Sequence, residues 1–414
     1  MPTACRRRAD CRLCGGAELT KVLTLTPTPP ANAFVPASEL DRKQETFPLE
    51  LFLCGKCAHV QMLDVVDPRV LFEHYVYVSG TSPVFVDHFR RYALSALRDF
   101  AMRPGSLVVD VGSNDGTLLR FFKDAGMKVL GIDPAQEIAA KATAEGLETL
   151  PAFFDAALAG RIVSERGPAA LVTGNNVFAH TDEMKGFTEG VRRLLAPDGV
   201  FVFEVSYLAD VVEKTLFDTI YHEHLAYHTV KPLRAFFAAQ GMQLIEALRI
   251  DTHGGSLRGV AQLAGGPRKA GPSVSERCDA EDREGLGRPE RFARFAADID
   301  ARKAELGALL RAHKSAGKRI AAFGAPAKAT TLMYHFELGP EFIEFIVDDS
   351  PLKQGLFSPG FHIPVLPSSA IYERKPDDLL LLAWNFAEPI MAKHKAYRES
   401  GGRFIIPLPK VELI

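Results

Sequence analysis

The stretch Phe217-Asp218-Thr219-Ile220-Tyr221-His222-Glu223-His224-Leu225-Ala226-Tyr227-His228 packs three histidines, two tyrosines and two carboxylates into twelve residues. Imidazole, phenol and carboxylate are side chains whose pKa values the surroundings can tune toward neutrality, so the cluster suits proton transfer. Tyr221, Glu223 and His224 are its candidate catalytic residues. The plainer readings are a polar loop, or a metal site made of His222, Glu223 and His224. Adjacent residues on one strand or helix rarely converge on one ion, however, and the helical H-E-x-x-H spacing is absent.

A second concentration of reactive groups lies at the start of the chain. Five of the six cysteines fall within the first 57 residues, and Cys11-x-x-Cys14 and Cys54-x-x-Cys57 stand 39 residues apart. Two such knuckles can complete a tetrahedral four-thiolate zinc site, with Gly15, Gly16 and Gly55 serving the turns. Disulfides are the alternative, which a cytosolic chain disfavours. A closed four-thiolate site does no chemistry itself; it folds a small domain with too little core. Cys5 is a possible substitute ligand, and Cys278 reads as an isolated thiol.

The elements needed to position these groups come next. Ser106 to Val111 is an apolar strand, Gly112-Ser113-Asn114-Asp115-Gly116 a turn, and a helix runs on through Phe122. Val129-Leu130-Gly131-Ile132-Asp133 is a second strand ending in a carboxylate. The glycine spacing is not G-x-G-x-x-G, and the turn is rich in Asp and Asn, which would repel a pyrophosphate. Close approach at Gly112 and Gly116 beside Asp110 and Asn114, with Asp133 suited to a ribose diol, matches the S-adenosylmethionine pocket of class I methyltransferases. Ala169 to His180 is a further buried strand that runs into a polar end carrying Asn175, Asn176 and His180; a helix over 183–195 and the strand Val200 to Val205 follow. Such alternation implies a parallel sheet with ligands at the strands' carboxyl ends, and Tyr221–His224 lies just beyond one of them. His180 reads either as structural or as a partner in the chemistry.

The flanking regions carry weaker signals. Phe85 to Phe100 reads as an amphipathic helix. Before it, Tyr75 and Tyr77 share one face if extended, a surface for packing or for a substrate. Residues 266–290 read as an exposed linker, and Phe292 to Leu310 as a long helix with one apolar stripe. Arg319 to Lys328, Phe345 to Ser350 and Leu379 to Asn385 then suggest a second Rossmann-like domain, again without the dinucleotide fingerprint. There Lys328 and Lys353 are candidates to hold a diphosphate, or are simply solvated lysines.

At 414 residues the chain has room for about three domains of ~150 residues. The expected boundaries are 1–70, 71–255 and 256–414. A net charge of -2 gives no basic face for nucleic acid, and no apolar run reaches membrane-spanning length. The N-terminal arginines are not followed by the apolar segment of a signal peptide, so a cytoplasmic monomer is expected.

The order of the motifs is specific. The two cysteine knuckles, Val109 to Gly116, Asn175 to His180, Phe217 to His224, Gly254-Gly255-Ser256-Leu257-Arg258 and Gly324-Ala325-Pro326-Ala327-Lys328 follow one another along nearly the whole chain. In this the sequence resembles the sugar C-methyltransferases that act on nucleotide-linked 4-keto-deoxysugars, typified by the 3-C-methyltransferases of antibiotic sugar pathways. The resemblance implies an α/β protein: a small zinc domain, a class I methyltransferase domain and a second Rossmann-like domain. It also implies zinc and S-adenosylmethionine as cofactors, a nucleotide-sugar substrate, and Ser256 and Arg258 near that substrate. Carbon methylation needs a carbon nucleophile, which a base creates beside a ketone. His224 is the expected base, Tyr221 and Glu223 its supports, and His180 a stabiliser of the enolate. An O- or N-methyltransferase would use the cluster less fully. A zinc-bearing interaction protein that keeps a non-catalytic methyltransferase fold is the reading from another class.

Overall fold

The computed structural model describes residues 5–72, 80, 83–252 and 254–414. Tyr75 and Tyr77 lie outside them. The central sheet has seven strands in the order Met242–Ile250, Ser256–Leu263, Leu195–Ser206, Ala169–Asn175, Leu107–Val111, Lys128–Ile132, Thr149–Leu150. Leu107–Val111 is apolar and buried, as a strand with both faces covered should be, and pairs in parallel with a neighbour on each side. The chain leaves it toward one edge and returns on the other side at Ala169–Asn175. That reversal opens a crevice at the strands' carboxyl ends, the usual ligand position in such sheets.

The strand Ser256–Leu263 pairs antiparallel with both Leu195–Ser206 and Met242–Ile250. The expected boundary at 255/256 therefore falls inside a hairpin of the central sheet. The expected linker at 266–290 is also corrected. Pro272–Glu284 is a helix, opened by Pro272 and closed by Gly285 in the left-handed conformation at φ +73°. Polar composition hid it, since only Val274, Cys278 and Glu281 are buried. The Glu281 carboxylate accepts from the Tyr207 hydroxyl and from the backbone N–H groups of Val230 and Lys231, which fastens this helix to the sheet.

Leu19–Thr28, Phe47–Cys54, Val60–Met62 and Ala226–Tyr227 form an antiparallel four-stranded sheet. Its last strand comes from the motif 217–228, so the cysteine-bearing domain reaches directly into that motif. After the long helix Pro289–Ser315, a second sheet is ordered Val365–Leu366, Ile346–Val347, Ile320–Phe323, Asp378–Leu381, Arg403–Ile406, Glu412–Leu413. All its pairs are parallel except the last. Among the described residues no helix is long and apolar enough to cross a membrane.

The core continues across these units. Phe178 lies within 5.8 Å, ring to ring, of Phe187, Phe201, Phe203, Phe237 and His228. Each buried ring contributes about 1.5–3 kcal/mol, and this packing fixes the backbone two residues before His180.

Candidate active site

The central crevice is built by its turns. Gly112 (φ +72°) follows Leu107–Val111, and a Cβ there would come 2.2 Å from Cγ2 of Val177. Asn114 and Asn176 also take positive φ, and the Asn176 N–H donates to the Glu204 carbonyl at 2.8 Å. Gly116 begins the helix Thr117–Asp124. Asp133, just past Lys128–Ile132, accepts from the backbone N–H of Asn114 on one oxygen and of Ala135 on the other, both at 2.9 Å. Burial raises its pKa against those two hydrogen bonds. Each oxygen keeps a lone pair free, so the pinned carboxylate can still accept from a ribose diol. Asp110 is buried deeper. It accepts from the Thr173 hydroxyl at 2.6 Å, and burial pushes its pKa up to about 7. Asn175 ends its strand on the opposite wall. Two carboxylates here suit a cofactor without phosphates.

Tyr221, His224 and His180 come together beyond this crevice. The His180 and His224 ring centroids are 5.0 Å apart, and Tyr221 lies 4.1 Å from His224. His224 Nδ1 is 2.7 Å from the Thr219 carbonyl, which can only accept, so Nδ1 carries the proton and Nε2 keeps its lone pair. Burial lowers the His224 pKa to about 4, against that hydrogen bond, and the ring is neutral at pH 7. Burial, with the nearby His224, holds His180 well below its ordinary value too.

The rest of the motif faces elsewhere. His222 is buried with Nε2 3.2 Å from the Phe47 carbonyl, and Glu223 accepts from Asn32 at 2.7 Å. The motif therefore does not converge on one ion. Asp218 accepts from the Trp384 indole N–H at 2.6 Å and lies 3.6 Å from the Lys328 ammonium, itself 3.5 Å over the Trp384 ring. Burial lowers the Lys328 pKa to about 8, partly offset by Asp218. The Lys353 ammonium donates to the Ala325 carbonyl at 2.7 Å. The sequence offers Lys328 and Lys353 as diphosphate anchors or as solvated lysines; in the structure both are engaged within the fold instead, Lys353 buried and Lys328 mostly so.

Ser256 and Arg258 are likewise engaged. The Ser256 hydroxyl donates to the Thr252 carbonyl, while Arg258 pairs with Glu204 and stacks on Tyr92. Burial pushes the Glu204 carboxyl up, but its contacts with His88 and Arg258 outweigh that and leave it below its ordinary value. Asn32, Trp384 and His88 escaped the sequence reading. Only Trp384 offered a signal, as the chain's one tryptophan just past a strand's carboxyl end.

Cys11, Cys14, Cys54 and Cys57 bring their sulfurs within 4.8 Å of one another. Cys11–Cys57 and Cys14–Cys54 are each separated by 3.6 Å. A tetrahedron with metal–sulfur bonds of ~2.3 Å has edges near ~3.8 Å, so the four thiols fit zinc. The Cys57 hydrogen bond holds the Cys11 thiol down to about 5. Cys5 lies on the strand Cys5–Arg7, outside the cluster.

Residues 11–72 match the family model for a zinc binding domain, 86–247 that for a methyltransferase domain, and 251–409 that for a C-methyltransferase C-terminal domain. The chain is 36% identical over 406 residues to C-methyltransferase NovU of Streptomyces niveus, covering 98% of this chain and 96% of that one. A ubiquinone biosynthesis O-methyltransferase of Burkholderia thailandensis is 27% identical over 162 residues, 36% of this chain and 70% of the other. Magnesium protoporphyrin IX methyltransferase of Synechocystis, solved with bound S-adenosylmethionine, is 17% identical at a TM-score of 0.32, covering 43% of this chain and 77% of that one. The central domain has the S-adenosylmethionine-binding methyltransferase fold, and the four-cysteine domain is of the zinc-binding kind.

Proposed function

The chain belongs to the C-methyltransferase family that includes NovU, and from that premise we propose that it methylates C-3 of a nucleotide-diphosphate-linked 4-keto-deoxysugar, dTDP-linked by preference. The observation that carries this reading is His224, a neutral imidazole with Nδ1 tied to the Thr219 carbonyl and Nε2 left to accept a proton. A hydroxyl or amine acceptor already carries a lone pair, and a base only assists it, whereas a carbon beside a ketone becomes a nucleophile only once its proton is removed.

In this reading His224 Nε2 removes the proton from the carbon beside the ketone, and the carbonyl oxygen takes up the negative charge. Tyr221, against His224, donates to that oxygen, and His180 supports it from the other side. S-adenosylmethionine supplies an electrophilic methyl group. Asp133, Gly112, Asn114, Gly116, Asp110, Asn175 and Asn176 would hold it, and its methyl would pass to the enolate carbon with the sulfur leaving as the thioether. Glu223 holds the loop through Asn32. The fold's main contribution is to bring two ligands together in line and exclude water. Cys11, Cys14, Cys54 and Cys57 hold zinc outside the reaction. We further propose that the chain acts in the cytoplasm as a monomer.

The test is turnover with S-adenosylmethionine against dTDP-, GDP- and CDP-linked 4-keto-6-deoxysugars. A product heavier by one methyl, with the new carbon at C-3, is expected from the dTDP-linked sugar. Methylation on oxygen or nitrogen, or no turnover on the whole panel, would contradict the proposal.

A further inference from the structure

Both cysteine knuckles lie behind the histidine pair, and one buried cation joins them to it. Arg12 sits inside the first knuckle with its side chain 0% exposed. Its Nε donates to Asp182 Oδ1 at 3.0 Å, and its Nη1 to Gln61 Oε1 at 3.1 Å and to the Met62 carbonyl. Asp182 stands two residues after His180. Met62 ends the strand that leaves the second knuckle, and its N–H donates to the Leu225 carbonyl at 3.0 Å, one residue after His224. The Leu225 N–H in turn donates to the Ala179 carbonyl at 2.9 Å, one residue before His180. The chain of contacts therefore closes on itself around the two imidazoles.

A guanidinium taken out of water is costly; here Nε and Nη1 are paired while Nη2 has no partner among the described residues, and a residue that only filled a knuckle turn would not need a charge.

We propose that Arg12 is a positioning residue for methyl transfer: from the first knuckle it grips Asp182 and the strand Val60–Met62, and so sets His180 and His224 at their working separation. The inference rests on the reading of His224 as the base. It gives the four-cysteine site a task beyond folding its own domain, since the knuckle that zinc would fix is the one that carries Arg12. Displacements of about 1 Å at reacting groups can cost ~10²-fold in rate, so a loosened knuckle would be read at the chemical step.

The experiment compares the full zinc-loaded chain with Arg12→Met, Arg12→Lys and Asp182→Asn. Zinc content, S-adenosylmethionine affinity by calorimetry, kcat and KM with dTDP-4-keto-6-deoxyglucose, and the His180 and His224 imidazole NMR shifts are measured for each. Arg12→Met and Asp182→Asn are expected to lower kcat about tenfold or more, with KM and donor affinity within about twofold and the imidazole shifts moved. Arg12→Lys should recover part of the loss. Asp182 also pairs with Arg6 and Arg8, so Arg8→Met is the control: with zinc retained, a fall in kcat in Asp182→Asn but not in Arg8→Met supports the proposal even if Arg12→Met sheds its metal, and an equal fall in both overturns it. If Asp182→Asn matches the parent in kcat and imidazole shifts, the proposal is overturned, whatever Arg12→Met does. A parent chain that transfers no methyl from this sugar contradicts the reading of the reaction itself, a separate outcome visible without any variant.

Discussion

The molecule contains two mixed, mainly parallel sheets that each include a strand, a glycine turn and a helix, and the strand ends beside those turns meet different partners. In the central sheet Asp133, Asn114 and Asn175 gather at the strand ends beside the turn after Leu107–Val111, where Gly112 packs against Val177. In the C-terminal sheet Gly324 (φ +89°) follows Ile320–Phe323, and a Cβ there would lie 2.5 Å from that of Ala383. Lys328 and Trp384 sit at the corresponding strand ends and close on Asp218, from the histidine-rich segment 217–228. The Thr331 hydroxyl adds a hydrogen bond to the Ile220 carbonyl at 2.8 Å. One sheet thus gathers polar groups at its strand ends, while the other closes its strand ends on the segment 217–228. The same topology serves either use, and only the side chains at the strand ends tell them apart.

The largest effect should come where these two uses meet. His224→Asn is expected to lower methyl transfer ~10²–10⁴-fold while both ligands still bind, the usual contribution of a general base. With the His224 pKa lowered to about 4, the base is unprotonated through neutrality. The rate should therefore hold from pH 8 down past pH 6 and fall only as protonation sets in near 4. A pH–rate profile of kcat/KM that drops already at the ordinary histidine value would contradict that environment.

Asp133→Ala should weaken S-adenosylmethionine binding by about 1–3 kcal/mol, the cost of removing one partner of a charge-assisted bond. Lys328→Met, the corresponding change in the other sheet, should leave donor affinity unchanged. Calorimetry on the pair separates the two crevices, and equal losses would mean that the donor has been assigned to the wrong one. Trp384→Phe should be milder, destabilising the fold by about 1 kcal/mol through the lost N–H to Asp218 and lowering the urea midpoint.

Much of this was legible in the sequence, because strong local chemistry leaves a pattern. The C-x-x-C pairs, the strand–glycine–helix turn with Asp133, and the Tyr221–His224 cluster each declare themselves within a few residues. What stayed hidden depends on partners far along the chain. Lys328 looked like an anion anchor because its helix position is local, whereas its burial against Asp218 involves residues 110 positions apart. Arg258 read as a substrate contact until Glu204 and Tyr92 took it up. The helix Pro272–Glu284 looked like a linker because most of its surface is solvated, and Glu281 reveals its role only through Tyr207 and the backbone of Val230. The position 255/256 lies inside a hairpin of the central sheet, which the sequence does not show because strand pairing is not written at the turn.

The most direct test follows the proton. The parent chain is incubated in D2O with dTDP-4-keto-6-deoxyglucose and S-adenosylhomocysteine, so that deprotonation proceeds without methyl transfer, and deuterium at the carbon beside the ketone is read by NMR. The parent should introduce deuterium there, and His224→Asn should introduce none above the enzyme-free rate. Deuterium entering at the parent rate in His224→Asn would contradict the assignment of His224 as the base and pass that role to Tyr221 or His180.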